Sequence, residues 1–142
     1  MDQDPGDDVC AIVELTRAYG RALDTGHYEE LRHVFTPGAT ARLSGSGQVG
    51  VDEIIDRVTT ALAGFDRCEH HLADHRVEVT GDSATAGCSV RALHMRPAGQ
   101  TPPVYRVIGS YQDRLVRTDA GWRITHRDLV VERREGRIPA PD

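Results

Sequence analysis

The spacing of hydrophobic residues changes near residue 64, and this change divides the chain into a helical part and a strand part. Between residues 9 and 23 the apolar side chains recur with mostly helical spacing, which predicts a first helix. The segments 27–35 and 51–62 repeat that spacing and predict two further helices, with a short strand at 39–43 and a loop between them. Three helices are therefore expected before residue 64.

After Gly64 apolar and polar residues alternate with a period of two, as strand residues do. One predicted strand ends at the turn 80–82, a second alternates from Ala84 to His94, and two long strands follow at 104–116 and 122–133. Helices followed by an antiparallel meander are typical of an α+β domain. We expect a cone-shaped α+β barrel, in which three N-terminal helices pack on a curved, mainly antiparallel sheet and enclose a pocket.

The domain is expected to span residues 9–134, with a disordered N-terminus at 1–8 and a flexible C-terminal tail at 135–142. The net charge of −5 argues against a nucleic-acid partner, since such binding uses clustered positive charge. No apolar run approaches the about 20 residues that span a bilayer, and the acidic first residues do not resemble a secretory leader. A cytoplasmic protein with no membrane partner is expected.

Absent residue types narrow the chemistry further. The chain contains no lysine, which excludes Schiff-base catalysis on lysine and a P-loop lysine. It contains no asparagine either, which removes a thiol-protease triad built on that residue. The three cysteines form no CxxC pair, so neither a disulfide framework nor a zinc knuckle is indicated.

The stretch EHHLADH contains three of the seven histidines. In a strand His71 and His75 would lie about 13 Å apart, too far to share a metal ion, and His70 would point to the opposite face. No metal site is therefore expected. His71 has the same parity as Val77, so in a strand without a bulge it faces inward, whereas His70 and His75 are expected at the surface or rim.

Several motifs resemble those of the SnoaL-like branch of the nuclear transport factor 2-like superfamily, from about residue 12 to residue 133. The motifs that carry the resemblance are AYGRALDTG (18–26), LRHVFTPGAT (31–40), GVDEI (50–54), HLA (71–73), TGDSA (80–84), GSYQD (109–113) and GWRI (121–124). The resemblance implies the cone fold and a small-molecule ligand. It also implies a homodimer formed through the outer face of the sheet.

Within this branch the chain looks nearest to the scytalone dehydratase and bile-acid dehydratase type. The resemblance places Asp24 on the catalytic acid of that type, Tyr19 on a tyrosine, His71 on a histidine and His94 on a second histidine. His71, oriented by Asp24, would remove a proton next to a carbonyl group. Tyr19 would polarise that carbonyl or assist the leaving hydroxyl, and His94 would deliver or relay the proton.

Other readings of these residues stay open. Asp24 also fits an N-cap of the second helix, and Tyr19 also fits a core aromatic. Leu23 stands where the scytalone type has a tyrosine, so the substrate contacts must differ. The residues expected to line the pocket and bind the substrate are Tyr111, Trp122, His126 and Asp128.

The expected activity is a cofactor-independent lyase (a dehydratase) or a cyclase that acts on a small apolar polyketide-, terpenoid- or steroid-like molecule. One alternative is a non-catalytic module of the same fold that binds a small molecule or forms a dimer. A second alternative is a ketosteroid-isomerase-like isomerase. The isomerase fits less well because Leu43 and Gly109 stand near the positions of its two essential aspartates.

Overall fold

The computed structural model describes residues 5–43 and 45–137, and all structural statements concern that part of the chain. A long helix α1 spans Pro5–Thr25, a 3-10 helix spans Tyr28–His33, and helix α2 spans Val51–Leu62. Buried side chains on α2 recur with helical spacing at Val51, Ile54, Ile55, Val58 and Leu62. The apolar periodicity in the sequence therefore located the helices, although the second one is a 3-10 helix.

A six-stranded sheet forms the other layer. Its strands are β1 (Phe35–Arg42), β2 (Gln48–Val49), β3 (Arg67–Thr80), β4 (Ser83–Met95), β5 (Val104–Thr118) and β6 (Gly121–Glu135). Their order is β2-β1-β6-β5-β4-β3, with antiparallel neighbours throughout except for the parallel pair β1 and β6. The predicted α+β fold with a curved, mainly antiparallel sheet is confirmed, and the sheet is not closed into a barrel.

The N-terminal turn of α1 is hydrogen-bonded to the end of β5 and the start of β6. Asp8 accepts hydrogen bonds from Arg117 Nη1 and Nη2 at 2.8 and 3.0 Å, and from Trp122 Nε1 at 3.0 Å. Residues 5–8 lie in this helix, although the sequence predicted disorder for residues 1–8. The partners of Asp8 are more than 100 residues away in the chain, so the local sequence does not indicate them. Within the predicted tail, β6 continues through Glu135, and residues 138–142 lie outside the described residues.

A bulge in β3 reverses which side chains face the helices. The register with β4 shifts between Ala73 and Arg76, and Asp74 adopts a φ of 55°, in the left-handed region. One extra residue inverts the alternation of a strand. Cys68 and His70 face the helices before the bulge, and residues of the opposite parity, from His75 onward, do so after it.

Two further bulges, both in β6, also reverse which side chains face the helices. Leu115 pairs with Ile124 but Arg114 pairs with His126, which leaves Thr125 as the extra residue. Gly109 pairs with Val131 but Ile108 pairs with Arg133, which leaves Glu132 as the second extra residue. The pairing with β5 therefore decides which side chains of β6 point to the concave face of the sheet.

The second bulge in β6 requires a glycine on β5. A Cβ atom on Gly109 would overlap the backbone carbonyl of Val130, whereas one on Gly38 in β1 would meet nothing within 4 Å. We expect Gly109→Ala to lower the free energy of unfolding by about 1–3 kcal/mol, the usual cost of overpacking. Urea unfolding of both variants checks this, with Gly38→Ala as the control that should stay within about 0.5 kcal/mol of the parent. Equal effects of the two substitutions would contradict the steric explanation.

Candidate functional site

A cavity of about 280 Å³ lies between the helices and the concave face of the sheet. Side chains from both helices and from β3, β4, β5 and β6 form its wall, which is mainly apolar with a few polar groups. The lining residues are Tyr19, Leu23, Leu43, Arg57, Val58, Ala61, Leu62, Phe65, His70, Val90, Ala92, His94, Tyr105, Val107, Tyr111, Leu129 and Arg134. An enclosed apolar pocket with a few convergent polar groups is the usual form of a small-molecule site.

A histidine–carboxylate pair lies in the wall of this cavity. His70 Nδ1 is 2.7 Å from Asp24 Oδ1, and the backbone N–H of His70 donates to Asp24 Oδ2 at 3.1 Å. The His70 side chain is only 4% exposed. Since a carboxylate accepts, Nδ1 carries the proton, and Nε2 is the basic nitrogen available to a ligand. Asp24 therefore orients an imidazole instead of capping the second helix.

The prediction that His71 faces inward is wrong. Its side chain is 62% exposed on the outer face of the sheet, where Nε2 lies 3.5 Å from Glu69 Oε2. The error follows from the bulge in β3, which separates His71 from the strand segment whose parity was used to orient it. Asp24 instead contacts His70, which had been expected at the surface or rim.

Cys68 adds a third polar group beside this pair. Its thiol donates to the Leu23 carbonyl at 3.3 Å and lies 3.7 Å from Asp24 Oδ1. Burial, reinforced by the nearby Asp24 charge, raises the pKa of the Cys68 thiol to about 11, so the thiol is protonated at neutral pH. Asp24, Cys68 and His70 each offer a donor atom within 4.8 Å of the others, and these residues could hold a metal ion. A bound ion would have to replace the proton shared by His70 and Asp24.

His94 lies in the cavity wall as predicted, and its ring contacts those of Phe65 and His70 at centroid distances of 5.0 and 6.1 Å. Its Nδ1–H donates to the Tyr105 carbonyl at 3.1 Å, which leaves Nε2 as an acceptor. Burial lowers the pKa of His94 below its ordinary value of 6.5. At neutral pH His94 therefore presents a lone pair to a ligand, which fits proton acceptance better than the proton delivery expected from the sequence.

Two tyrosines form the cavity wall next to a buried ion pair. Arg127 donates from Nε and Nη2 to Asp113 at 2.7 and 2.8 Å, and neither side chain is more than 1% exposed. The guanidinium stacks on both tyrosine rings, with its central carbon 4.4 Å from the Tyr19 centroid and 4.0 Å from that of Tyr111. The rings of Tyr111 and Tyr19 also pack edge to face, with their centroids 5.5 Å apart. Burial raises the pKa of both phenols, which keeps them as neutral hydrogen-bond donors.

Three of the four predicted substrate-binding residues lie outside the cavity. His126 and Asp128 face the outer side of the sheet, where they pair with each other at 3.0 Å and His126 bonds Thr40 at 2.6 Å. Trp122 is buried against Asp8 at the opposite end of α1. The bulge at Thr125 explains the first two errors, and Tyr111 alone of the four lines the cavity.

Several cavity residues were not anticipated, among them Arg57, Phe65, Tyr105 and Arg134. The sequence held one signal that would have identified His70. Leu72 and Val77 are both apolar although their positions have opposite parity, which indicates a bulge between them. No comparable signal marks Arg134.

Buried neutral histidines make stability depend on pH. Burial lowers the pKa of both His75 and His94 below 6.5. The His75 side chain packs against α1, where its Nε2 lies 2.9 Å from Thr16 Oγ1. The unfolded chain then binds protons that the folded chain does not, so the free energy of unfolding falls as the pH drops below about 6.5. Urea unfolding from about pH 7.5 to pH 5 checks this, and the double variant His75→Gln/His94→Gln should show a flatter profile. A parent profile that is flat or rises toward acid would contradict the expectation.

The fold defines the class of this protein, which is an α+β protein of the nuclear transport factor 2-like superfamily. A model of the SnoaL-like domain matches residues 7–128, so the chain belongs to the SnoaL-like family. The protein Rv2910c of Mycobacterium tuberculosis is 32% identical to it over 123 residues, which cover 82% of this chain and 80% of that protein.

Solved structures share the same fold. The Kfla4162 protein from Kribbella flavida is 27% identical, with a TM-score of 0.87 over 93% of this chain and 95% of that one. A Novosphingobium aromaticivorans protein named provisionally as an aromatic ring hydroxylase is 29% identical, with a TM-score of 0.85 over 95% and 96% of the chains. Another from that organism, named provisionally as a scytalone dehydratase, is 23% identical, with a TM-score of 0.81 over 92% and 87%, and shows the fold alone.

These comparisons confirm the resemblance seen in the sequence and place the chain in the SnoaL-like family. Among the described helices, none is both long and apolar enough to cross a membrane.

Proposed function

We propose that this protein is a lyase, a dehydratase or a related cyclase, in which His70 oriented by Asp24 acts as the general base. The observation that carries the proposal is the 2.7 Å contact between His70 Nδ1 and Asp24 Oδ1 in the wall of a mainly apolar cavity. A carboxylate that accepts from Nδ1–H fixes the tautomer, so the lone pair of Nε2 is free to accept a proton. The proposal needs no cofactor.

The chemical step starts from a carbonyl compound with a hydroxyl group at the β position. His70 Nε2 takes the proton from the carbon next to the carbonyl, and the electrons of that bond form a carbon–carbon double bond as the carbon–oxygen bond breaks. The imidazolium of His70 then returns the proton to the departing hydroxyl, which leaves as water. One residue thus serves as base and acid in turn.

Tyr19 and His94 assist this reaction, Tyr19 as a hydrogen-bond donor and His94 as a hydrogen-bond acceptor. Burial raises the pKa of Tyr19 and keeps its hydroxyl protonated, so this hydroxyl can donate to the substrate carbonyl as negative charge develops there. His94 has its Nδ1–H committed to the Tyr105 carbonyl, so its Nε2 can accept from the substrate hydroxyl and position it. Tyr111 supports Tyr19 and completes the apolar wall.

The size of the cavity limits the substrate. A volume of about 280 Å³ lies just below the usual range for small-molecule sites, which is about 300–1,000 Å³. A molecule with one or two rings matches this volume better than a complete four-ring steroid does. We therefore narrow the expected polyketide-, terpenoid- or steroid-like substrate to a one- or two-ring β-hydroxy carbonyl compound.

The test is a panel of one- and two-ring β-hydroxy ketones and acids, with the conjugated product followed by its near-ultraviolet absorbance and by mass spectrometry. Loss of the mass of water, catalysed by the parent protein, is the expected result. Ligands that bind throughout the accessible pH range but are never converted would instead support the non-catalytic binding module. Migration of a double bond without loss of water would support the isomerase.

A further inference from the structure

The charged residues at the cavity differ in sign from the chain as a whole. The protein has 22 acidic and 17 basic residues and a net charge of −5. Among the described residues that line the cavity, the formally charged ones are two arginines, Arg57 and Arg134, and none is an aspartate or a glutamate. Asp24 is not among the lining residues, and its carboxylate accepts hydrogen bonds from the backbone N–H and Nδ1–H of His70. The formally charged side chains that line the cavity are thus all positive, although the protein is acidic.

The two arginines come from separate elements and converge on one cavity. Arg57 belongs to α2 and Arg134 to the end of β6. Arg134 reaches this side because Glu132 forms the second bulge, which places Arg134 on the concave face and Arg133 opposite Ile108 on the outer face. A regular strand would have reversed the two positions.

Arg134 is held in place by a cavity residue. Its Nε donates to the Tyr105 hydroxyl at 3.1 Å, a bond that leaves both terminal amino groups outside this contact. The Tyr105 ring in turn lies 5.3 Å from the ring of His94, and His94 lies 6.1 Å from that of His70. The side chains of Tyr105 and His94 therefore lie between Arg134 and the histidine–carboxylate pair. This separation suits a ring compound that reacts at one end and carries a polar group at the other.

We propose that the ligand of this cavity is an apolar one- or two-ring compound that carries an anionic group, a carboxylate or a phosphate, and that Arg57 and Arg134 bind this group. Guanidinium groups match both anions in geometry and form charge-assisted hydrogen bonds with them. This inference rests on the proposed function in one respect, which is that the reacting carbon of the ligand lies next to His70. The anion site itself is tested by binding, independently of turnover.

The experiment measures dissociation constants by isothermal titration calorimetry for three probes with the same ring system. The probes are 2-naphthoate, 2-naphthyl phosphate and the neutral ketone 2-acetylnaphthalene. We expect at least one anion to bind more tightly than the ketone at low salt, and this preference to shrink as salt rises from about 50 to about 500 mM, because partly exposed charges are screened. The better of the two anions identifies the group as a carboxylate or a phosphate.

Arginine variants locate the site. Arg57→Gln and Arg134→Gln should each weaken binding of the preferred anion by about two- to tenfold, as expected for charge-assisted hydrogen bonds at a partly solvated rim. Arg133→Gln makes the same charge change on the outer face of the same strand and should have no effect. Unchanged affinity for the neutral ketone in all three variants would show that the cavity itself is intact.

Equal or tighter binding of the neutral ketone by the parent protein would overturn the inference, as would an equal effect of Arg133→Gln. Conversion of neutral substrates by His70 would then still support the proposed lyase. Preferred binding of an anion without conversion of any substrate would retain the anion site and remove the lyase. The two proposals therefore fail separately.

Discussion

His70→Gln is expected to lower the rate of the dehydration reaction by about 10²–10⁴-fold, the usual contribution of a positioned general acid–base group. Glutamine keeps a polar side chain of similar length but cannot take a proton from carbon at neutral pH. The 2.7 Å bond to Asp24 marks His70 as the oriented imidazole, so its loss should appear mainly in kcat. Steady-state kinetics on a converted member of the hydroxy-carbonyl panel measures the effect.

His71→Gln is the matched control, since the same substitution is made one residue away on the exposed outer face. This variant should keep the parent's kcat and KM. Asp24→Asn should give an intermediate loss, because the amide can no longer favour the tautomer with a basic Nε2. If His71→Gln were as damaging as His70→Gln, or if His70→Gln turned over normally, the assignment of the base would be wrong.

Asp113→Ala is expected to lower the free energy of unfolding by about 3–5 kcal/mol, because it leaves the guanidinium of Arg127 buried without its counterion. Arg127 is fully enclosed and holds its charge against the cost of burial through the Asp113 carboxylate, which raises the pKa of Arg127 further. A loss of this size is a large fraction of the about 5–15 kcal/mol that holds a domain folded. Urea unfolding at neutral pH measures it.

Asp82→Ala serves as the control for this experiment. Asp82 also pairs with an arginine, Arg117, at 3.1 Å, but its side chain is 88% exposed. Removal of such an exposed carboxylate should cost about 0–1 kcal/mol. A cost below about 1 kcal/mol for Asp113→Ala as well would mean that water or another group reaches Arg127 in the variant, and that Asp113 is not required to hold this charge in the protein interior.

The residues misplaced by the sequence analysis illustrate one limit on inference from periodicity. His71, His126 and Asp128 were oriented by counting alternate positions along a strand, and each count crossed a bulge. Trp122 has a different explanation, since its side chain is buried against Asp8 on the N-terminal helix. In contrast, Tyr19, Asp24, His94 and Tyr111 were placed correctly in or beside the cavity, and on β4 the alternation is uninterrupted.

Periodicity by itself determined the α+β class and the approximate extent of the helices and strands, and the resemblance of several motifs indicated the family. These properties depend on which residues can be buried on one face of a helix or a strand, and that information is local. The tertiary structure alone decided that His70 is the histidine paired with Asp24, and that Arg134 and not Arg133 lines the cavity. Both outcomes depend on the position of an extra residue in the pairing of two strands, and that position is set by contacts between residues distant in the chain.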